Sequence, residues 1–188
     1  MLYLEAIGDI SWWYTRLMSV PTIETKRLRL RPFNLEDSVP LHKILEVEGV
    51  LQYFPSPAPP DLERVEKLVQ RQIDHWGEHG YGWWAVEALD NKHLIGWNGL
   101  QYLPETDEIE IGYLLARPYW GKGLATEGAL IGINYGFKSL NIPTITGIVH
   151  PENAGSQRVL EKIGLKFQEE AEYFGMDCFK YLAENTVT

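Results

Sequence analysis

The 188-residue chain has one cysteine, Cys178. An internal disulfide is therefore excluded, and so is a zinc site with more than one cysteine ligand. No apolar run reaches the roughly eighteen residues that a membrane-spanning helix needs, so no membrane partner is expected. Basic residues are scarce, with 17 Lys and Arg against 26 Asp and Glu and a formal charge of −9. So acidic a surface disfavours phosphate backbones, which argues against nucleic acid and suits a cationic partner. It equally suits a soluble cytoplasmic protein. Internal repeats and low-complexity stretches are absent. What the chain does have is rings, with 7 Trp, 10 Tyr and 6 Phe, enough to line a pocket or an interface. The apolar fraction of 45% is sufficient to build a full core in one domain.

Residues 1–20 carry no basic segment ahead of an apolar one, and Glu5 and Asp9 interrupt the pattern. They do not read as a signal peptide, despite the apolar Trp12, Trp13 and Tyr14. We treat 1–20 as an extension of unknown role and 21–188 as the domain.

Along that domain, 26–33 alternates basic and apolar residues, with Leu28, Leu30 and Pro32 on one face, and predicts a half-buried strand. Asn34 or Asp37 caps a helix carrying Leu41, Ile44, Leu45 and Val47, and Gly49 ends it. Four prolines within 53–60 make a loop. Asp61 opens a second helix with a stripe of Leu62, Val65, Leu68, Val69, Ile73 and Trp76, stopped by Gly77 and Gly80. Strands follow at 82–89 and 94–103. Another at 108–116 alternates clearly, with Glu108, Glu110, Gly112 and Leu114 on one face. A helix over 123–140, a β-branched strand at 144–149, a helix from Asn153 or Gly155 to Gly164, and a hairpin around Gly175 complete the chain. This order predicts an α+β domain of three layers, α/β/α, around one sheet.

The segment from Arg117 to Glu127, Arg-Pro-Tyr-Trp-Gly-Lys-Gly-Leu-Ala-Thr-Glu, lies between a strand and a helix. Gly121 and Gly123 let the backbone turn sharply. The helix that follows presents unpaired N–H groups and a positive dipole end, which together make an anion site suited to phosphate. A dinucleotide fingerprint would need Gly or Ala where Thr126 stands. A P-loop would need Gly at Ala116 and Ser or Thr at Gly123. Neither ligand class fits.

A second segment, His150 to Leu165, follows the buried strand. Three motifs stand in order: Trp120-Gly-Lys-Gly-Leu-Ala-Thr-Glu127, Asn153-Ala-Gly-Ser156 and Glu161-Lys-Ile-Gly164. With Thr25 to Phe33 and Leu94-Ile-Gly96 they make residues 22–183 resemble the GNAT superfamily of acyl-CoA-dependent N-acyltransferases. The closest resemblance is to its RimJ/RimL branch of ribosomal-protein N-terminal acetyltransferases. The resemblance implies a central mixed, mainly antiparallel sheet flanked by helices. A cleft opens where its fourth strand, here 108–116, splays from its fifth, 144–149. It also implies acetyl-CoA as co-substrate, with pantetheine along Leu114, Leu115 and Ala116. The pyrophosphate would lie on Gly121, Lys122, Gly123, Leu124, Ala125 and Thr126, and Asn153 near the thioester. Lys122 reads equally as a solvated lysine, and Asn153 as a helix cap.

Acyl transfer to an amine needs a base for the ammonium, donors for the oxyanion and an acid for the thiolate. Glu110 is the candidate base, with Glu108 the runner-up, and either one could instead pair with a cross-strand cation. The strand-edge amides, particularly that of Leu115, are the candidate oxyanion donors. Many members of the superfamily place a tyrosine where this chain has Leu160. By resemblance, Ser156 takes the position near the sulfur, where it also reads as a first-turn cap. Tyr53 and Phe54, in the loop flanking the acceptor in the superfamily, and Trp97 are candidate substrate contacts. His75 and His79 are four apart, but Gly77 intervenes, and no metal is expected.

The expected activity is acetyl transfer to a primary amine: a protein N-terminus, as the branch implies, an aminoglycoside, a polyamine or an amino-acid-like metabolite. A second expectation is an acyl-CoA-binding regulatory module without turnover, and a third is transfer of a succinyl or longer chain. Dimers are common in the branch, and 1–20 has the apolar residues to contribute to one.

Overall fold

The computed structural model describes residues 20–186. The extension proposed for 1–20 lies outside the described residues except for Val20, which packs against the core. Eight strands form one sheet: β1 (Ile23–Glu24), β2 (Leu28–Arg31), β3 (Trp83–Ala88), β4 (Leu94–Leu103), β5 (Glu108–Leu115), β6 (Thr144–Val149), β7 (Lys166–Tyr173) and β8 (Met176–Glu184). Among the described residues four α-helices cover it: α1 (Ser38–Leu45), α2 (Leu62–His79), α3 (Leu124–Asn134) and α4 (Ala154–Lys162). The spatial order is β1-β2-β3-β4-β5-β6-β8-β7, and among the described residues only the β5–β6 pair is parallel.

Alternation along the strands separates two cores. Leu28, Leu30, Trp84, Val86, Ile111 and Leu115 pack with α3 and α4 on one face. Trp83, Ala85, Trp97 and Leu114 pack with α1 and α2 on the other. The expected three-layer α/β/α arrangement is what forms, because successive side chains on a strand serve opposite layers.

Two local readings are corrected. Helix α2 runs through Gly77 and stops at Gly80, which is left-handed at φ 72°. An internal glycine costs a helix only about 1 kcal/mol, and packing of this turn outweighs it. Trp76 donates its indole N–H to the Trp83 carbonyl at 3.0 Å, and the Gln72 side chain accepts from Trp83 N–H at 3.2 Å. The helix expected to reach residue 140 is α only to Asn134, and a π turn follows over Tyr135–Ser139. The wider turn sets Tyr135 edge-on to Trp84 and lets its hydroxyl donate to the Gly80 carbonyl at 3.2 Å.

The start of α1 is locked by a charge knot. Arg31 grips both Asp37 oxygens at 2.7 Å and reaches Glu87 at 2.6 Å. Asp37 also closes a reciprocal capping box with Asn34. The guanidinium is held even more firmly protonated than usual, first by Asp37 and, against desolvation, by Glu87 as well. Arg31→Met would leave the buried Asp37 carboxylate without a counter-ion and Glu87 with only Arg29, at 3.8 Å. Urea denaturation should show a loss of about 3–5 kcal/mol.

Candidate active site

Every residue of β5 pairs with β4, from Leu103↔Glu108 to Gly96↔Leu115. On its other side β5 meets β6 at a single pair, Glu110↔Thr146. Beyond Glu110 the two strands diverge, and a cavity of about 760 Å³ opens between them. Backbone groups in an antiparallel ladder face the two sides in alternation. The Ala116 N–H goes to Ile95 O at 2.7 Å. Leu114 and Ala116 therefore serve β4, while Tyr113 and Leu115 turn their backbone toward the opening. The Trp120 indole caps the Leu115 carbonyl, which leaves the Tyr113 and Leu115 amides as the donors on that edge. Leu114 lines the cavity, and Ala116 does not.

At one end of the cavity, Gly121 and Gly123 hold φ of 71° and 75°. Gly123 is the N-cap of α3 and, having no side chain, offers no cap to the first-turn amides. Gly121, Gly123, Leu124, Ala125 and Thr126 all line the opening. Lys122 lies aside, its ammonium 5.6 Å from the Tyr119 ring. A carboxylate in this turn would repel an anion, but Glu127 is neutralised. Arg27 donates to it at 2.7 Å and Thr25 adds its hydroxyl, and Arg27 also holds the Lys122 carbonyl at 2.8 Å. Although desolvation opposes it, this pairing keeps the Glu127 pKa below its usual value. The result is an amide-lined anion site braced from the turn that precedes β2.

The two glutamates on β5 part company. Lys180 pairs with Glu108 at 2.8 Å, Tyr173 donates to it at 2.7 Å and Thr146 at 3.2 Å. Desolvation is outweighed, and Glu108 stays below its usual pKa. Glu110 is 7% exposed and receives only the Gln101 amide, at 2.6 Å. Burial, reinforced by Glu108 and only partly offset by Gln101, lifts its pKa to about 7. The cross-strand cation foreseen for either glutamate belongs to Glu108, and Glu110 is left in the range of a working base.

A phenol that the sequence reading did not single out stands across the strand. The Tyr113 hydroxyl lies 2.8 Å from Ser156 Oγ and 3.1 Å from the Ser156 carbonyl. Burial raises its pKa, against the Ser156 hydrogen bond, so it keeps its proton. Asn153 Oδ1 caps α4 by accepting from Ser156 N–H at 3.0 Å. Leu160, where a phenol was missed, is buried in the core and reaches the same cavity. Tyr113 is visible in the sequence only as the opposite strand face from Glu110. Its nearness to Ser156, 43 residues on, is purely tertiary.

Residues 27–166 match the acetyltransferase (GNAT) domain family. The chain belongs to the GNAT family. An uncharacterised N-acetyltransferase of Bacillus licheniformis is 33% identical over 150 residues, 79% of this chain and 83% of that one. The spermidine N(1)-acetyltransferase of Escherichia coli is 28% identical over 148 residues, 76% of this chain and 75% of that one. Among solved structures, an acetyltransferase from Agrobacterium tumefaciens superposes with TM-score 0.78 and 27% identity, covering 88% and 95% of the two chains. RimL, a ribosomal L7/L12 α-N-protein acetyltransferase solved with coenzyme A, shares the fold at TM-score 0.73 and 19% identity, covering 87% and 98%. The protein is an N-acetyltransferase by family, and the splayed edge is that of the GNAT cleft.

The remaining wall of this GNAT cleft is aromatic. Trp83 and Trp97 stack with ring centres 3.7 Å apart, over Gly112, where a Cβ would come within 3.1 Å of Trp97. Tyr53, Phe54 and Trp97, named from sequence, all line the cavity, and Tyr53 packs on His150. Because α2 continues through Gly77, His75 and His79 do come together, with ring centres 4.3 Å apart. Among the described residues no three of His, Cys, Asp and Glu gather as metal ligands, and no helix is long and apolar enough to cross a membrane.

Proposed function

We propose that this GNAT chain moves the acetyl group of acetyl-CoA to a primary amine, taking an N-terminal α-amine as acceptor, in the cytoplasm. The observation that carries the reading is Glu110, a buried carboxyl poised near neutrality at the point where β5 leaves β6. The open β5 edge and the uncapped start of α3 suit an extended ligand with a diphosphate at one end. Gly121 to Thr126 would hold the diphosphate, Leu115 the pantetheine arm and Asn153 the region near the sulfur. Acetyl-CoA supplies the acetyl group as an activated thioester. RimL and the spermidine enzyme, by their names, act on a protein amine and a polyamine, and the motif resemblance to the RimJ/RimL branch favours the first.

Glu110 takes one proton from the acceptor ammonium, directly or through a water, and frees the nitrogen lone pair. The strand-edge N–H groups of Tyr113 and Leu115 share the pantetheine arm and the oxygen that gains charge as the nitrogen adds to the carbonyl carbon. Tyr113, steadied by Ser156, donates its proton to the sulfur as the C–S bond breaks. Of the two protons the nitrogen sheds, one leaves through Glu110 to solvent. The other balances the proton given to the departing thiol. Holding both partners in one cleft supplies much of the remaining acceleration.

The purified protein, given acetyl-CoA and a panel of peptides and amines, should release thiol. The Gly123→Val substitution tests the cofactor half by itself. A β-branched residue at φ 75° is strained and would distort the amide cradle. Calorimetry should show CoA binding weakened about ten-fold or more, since about 1–3 kcal/mol of strain is a factor of that size. Wild-type protein that binds CoA but releases thiol with no acceptor would make it a binding module instead.

A further inference from the structure

The β7–β8 hairpin turns through Phe174 and Gly175, both left-handed, at φ 56° and 74°. Two-residue turns of this kind favour Asn or Asp at the first position. A bulky side chain there is backbone strain, and its packing is slight: the Phe174 ring is 50% exposed and meets the Tyr173 ring at 6.3 Å. Strain retained at a cleft points to use of the side chain. Phe174 does line the cavity, as does Met176 on the same hairpin. The hairpin is anchored at the glutamate end of β5, because neighbouring Tyr173 donates to Glu108 at 2.7 Å. From the α1–α2 loop, Tyr53 and Phe54 line the same cavity. Among the described lining residues Glu110 is the sole carboxylate. A polyamine or aminoglycoside would bring several cations to one counter-charge.

We propose that the acceptor is a singly charged amine beside a large apolar side chain, such as a peptide beginning with Leu or Met, and that Phe174 is the residue that selects it. This rests on the transferase reading above. The apolar side chain lies against Phe174 and brings the ammonium to Glu110.

The test is thiol release from acetyl-CoA with tetrapeptide amides beginning with Leu, Met, Lys or Glu, and with spermidine and kanamycin. The expected kcat/KM for the Leu and Met peptides exceeds the others by about ten- to a hundred-fold, the range that burying one apolar side chain provides. Phe174→Asn installs a residue the turn prefers. It should keep or raise Tm while raising KM for the Leu peptide about ten-fold, a pairing that a merely structural residue would not produce. Faster turnover of spermidine or kanamycin overturns the inference and leaves the transferase standing. An unchanged KM in Phe174→Asn overturns the role of Phe174. Absence of thiol release from every amine, with CoA binding intact, overturns the transferase reading and this inference with it.

Discussion

Glu110→Gln is expected to lower kcat by about 10²–10⁴-fold, the usual contribution of a positioned general base. Glutamine keeps the volume and the Gln101 contact but cannot take a proton. In the wild type, kcat should fall as pH drops through about 7, where Glu110 takes up its proton, and the variant should lack that limb. The same change should act on stability with the opposite sign. The folded pKa of Glu110 stands at about 7 against an ordinary 4.5. Its contribution to stability is therefore fully present below pH 4.5 and is lost as pH rises through 7. Above pH 8 the buried charge costs about 3 kcal/mol. Removing it should raise Tm at pH 8 and leave Tm nearly unchanged at pH 4. Loss of activity together with a gain in Tm would identify a carboxylate kept for chemistry. Full activity in Glu110→Gln would sink the mechanism.

Tyr113→Phe should lower kcat by about 10²-fold, within the range of a general acid, with little change in the affinity for CoA. Its hydroxyl has Ser156 as its protein partner, at 2.8 Å, so Phe keeps the packing and loses the proton. Ser156→Ala should cost less, since the phenol persists and loses only its orienting partner. The double substitution should be little worse than Tyr113→Phe alone, because the two hydroxyls work as one unit. Strictly additive losses would mean that each serves separately.

Some of this was legible from local pattern. The Gly121–Gly123 spacing marks an amide-lined anion site because glycine geometry and helix ends are local physics. Alternation along 108–116 places Glu108, Glu110 and Leu114 on one face for the same reason. Other features were not legible. That Glu108 is spoken for depends on Lys180, on a strand that is not its sheet neighbour. The stop expected at Gly77 was overridden by Trp76 and Gln72 bonding to Trp83. Phe174 reads in sequence as an ordinary hairpin residue, and only its positive φ and its place on the cavity set it apart.

The sequence by itself determined the layers, the two-glycine turn and which side chains share a strand face, since periodicity and turn chemistry act over a few residues. Only the tertiary structure decided which glutamate stays unpaired, where the phenol lies and where β5 and β6 part. Burial and charge pairing depend on chain segments brought together across the fold, and desolvation of a carboxyl has no local signature.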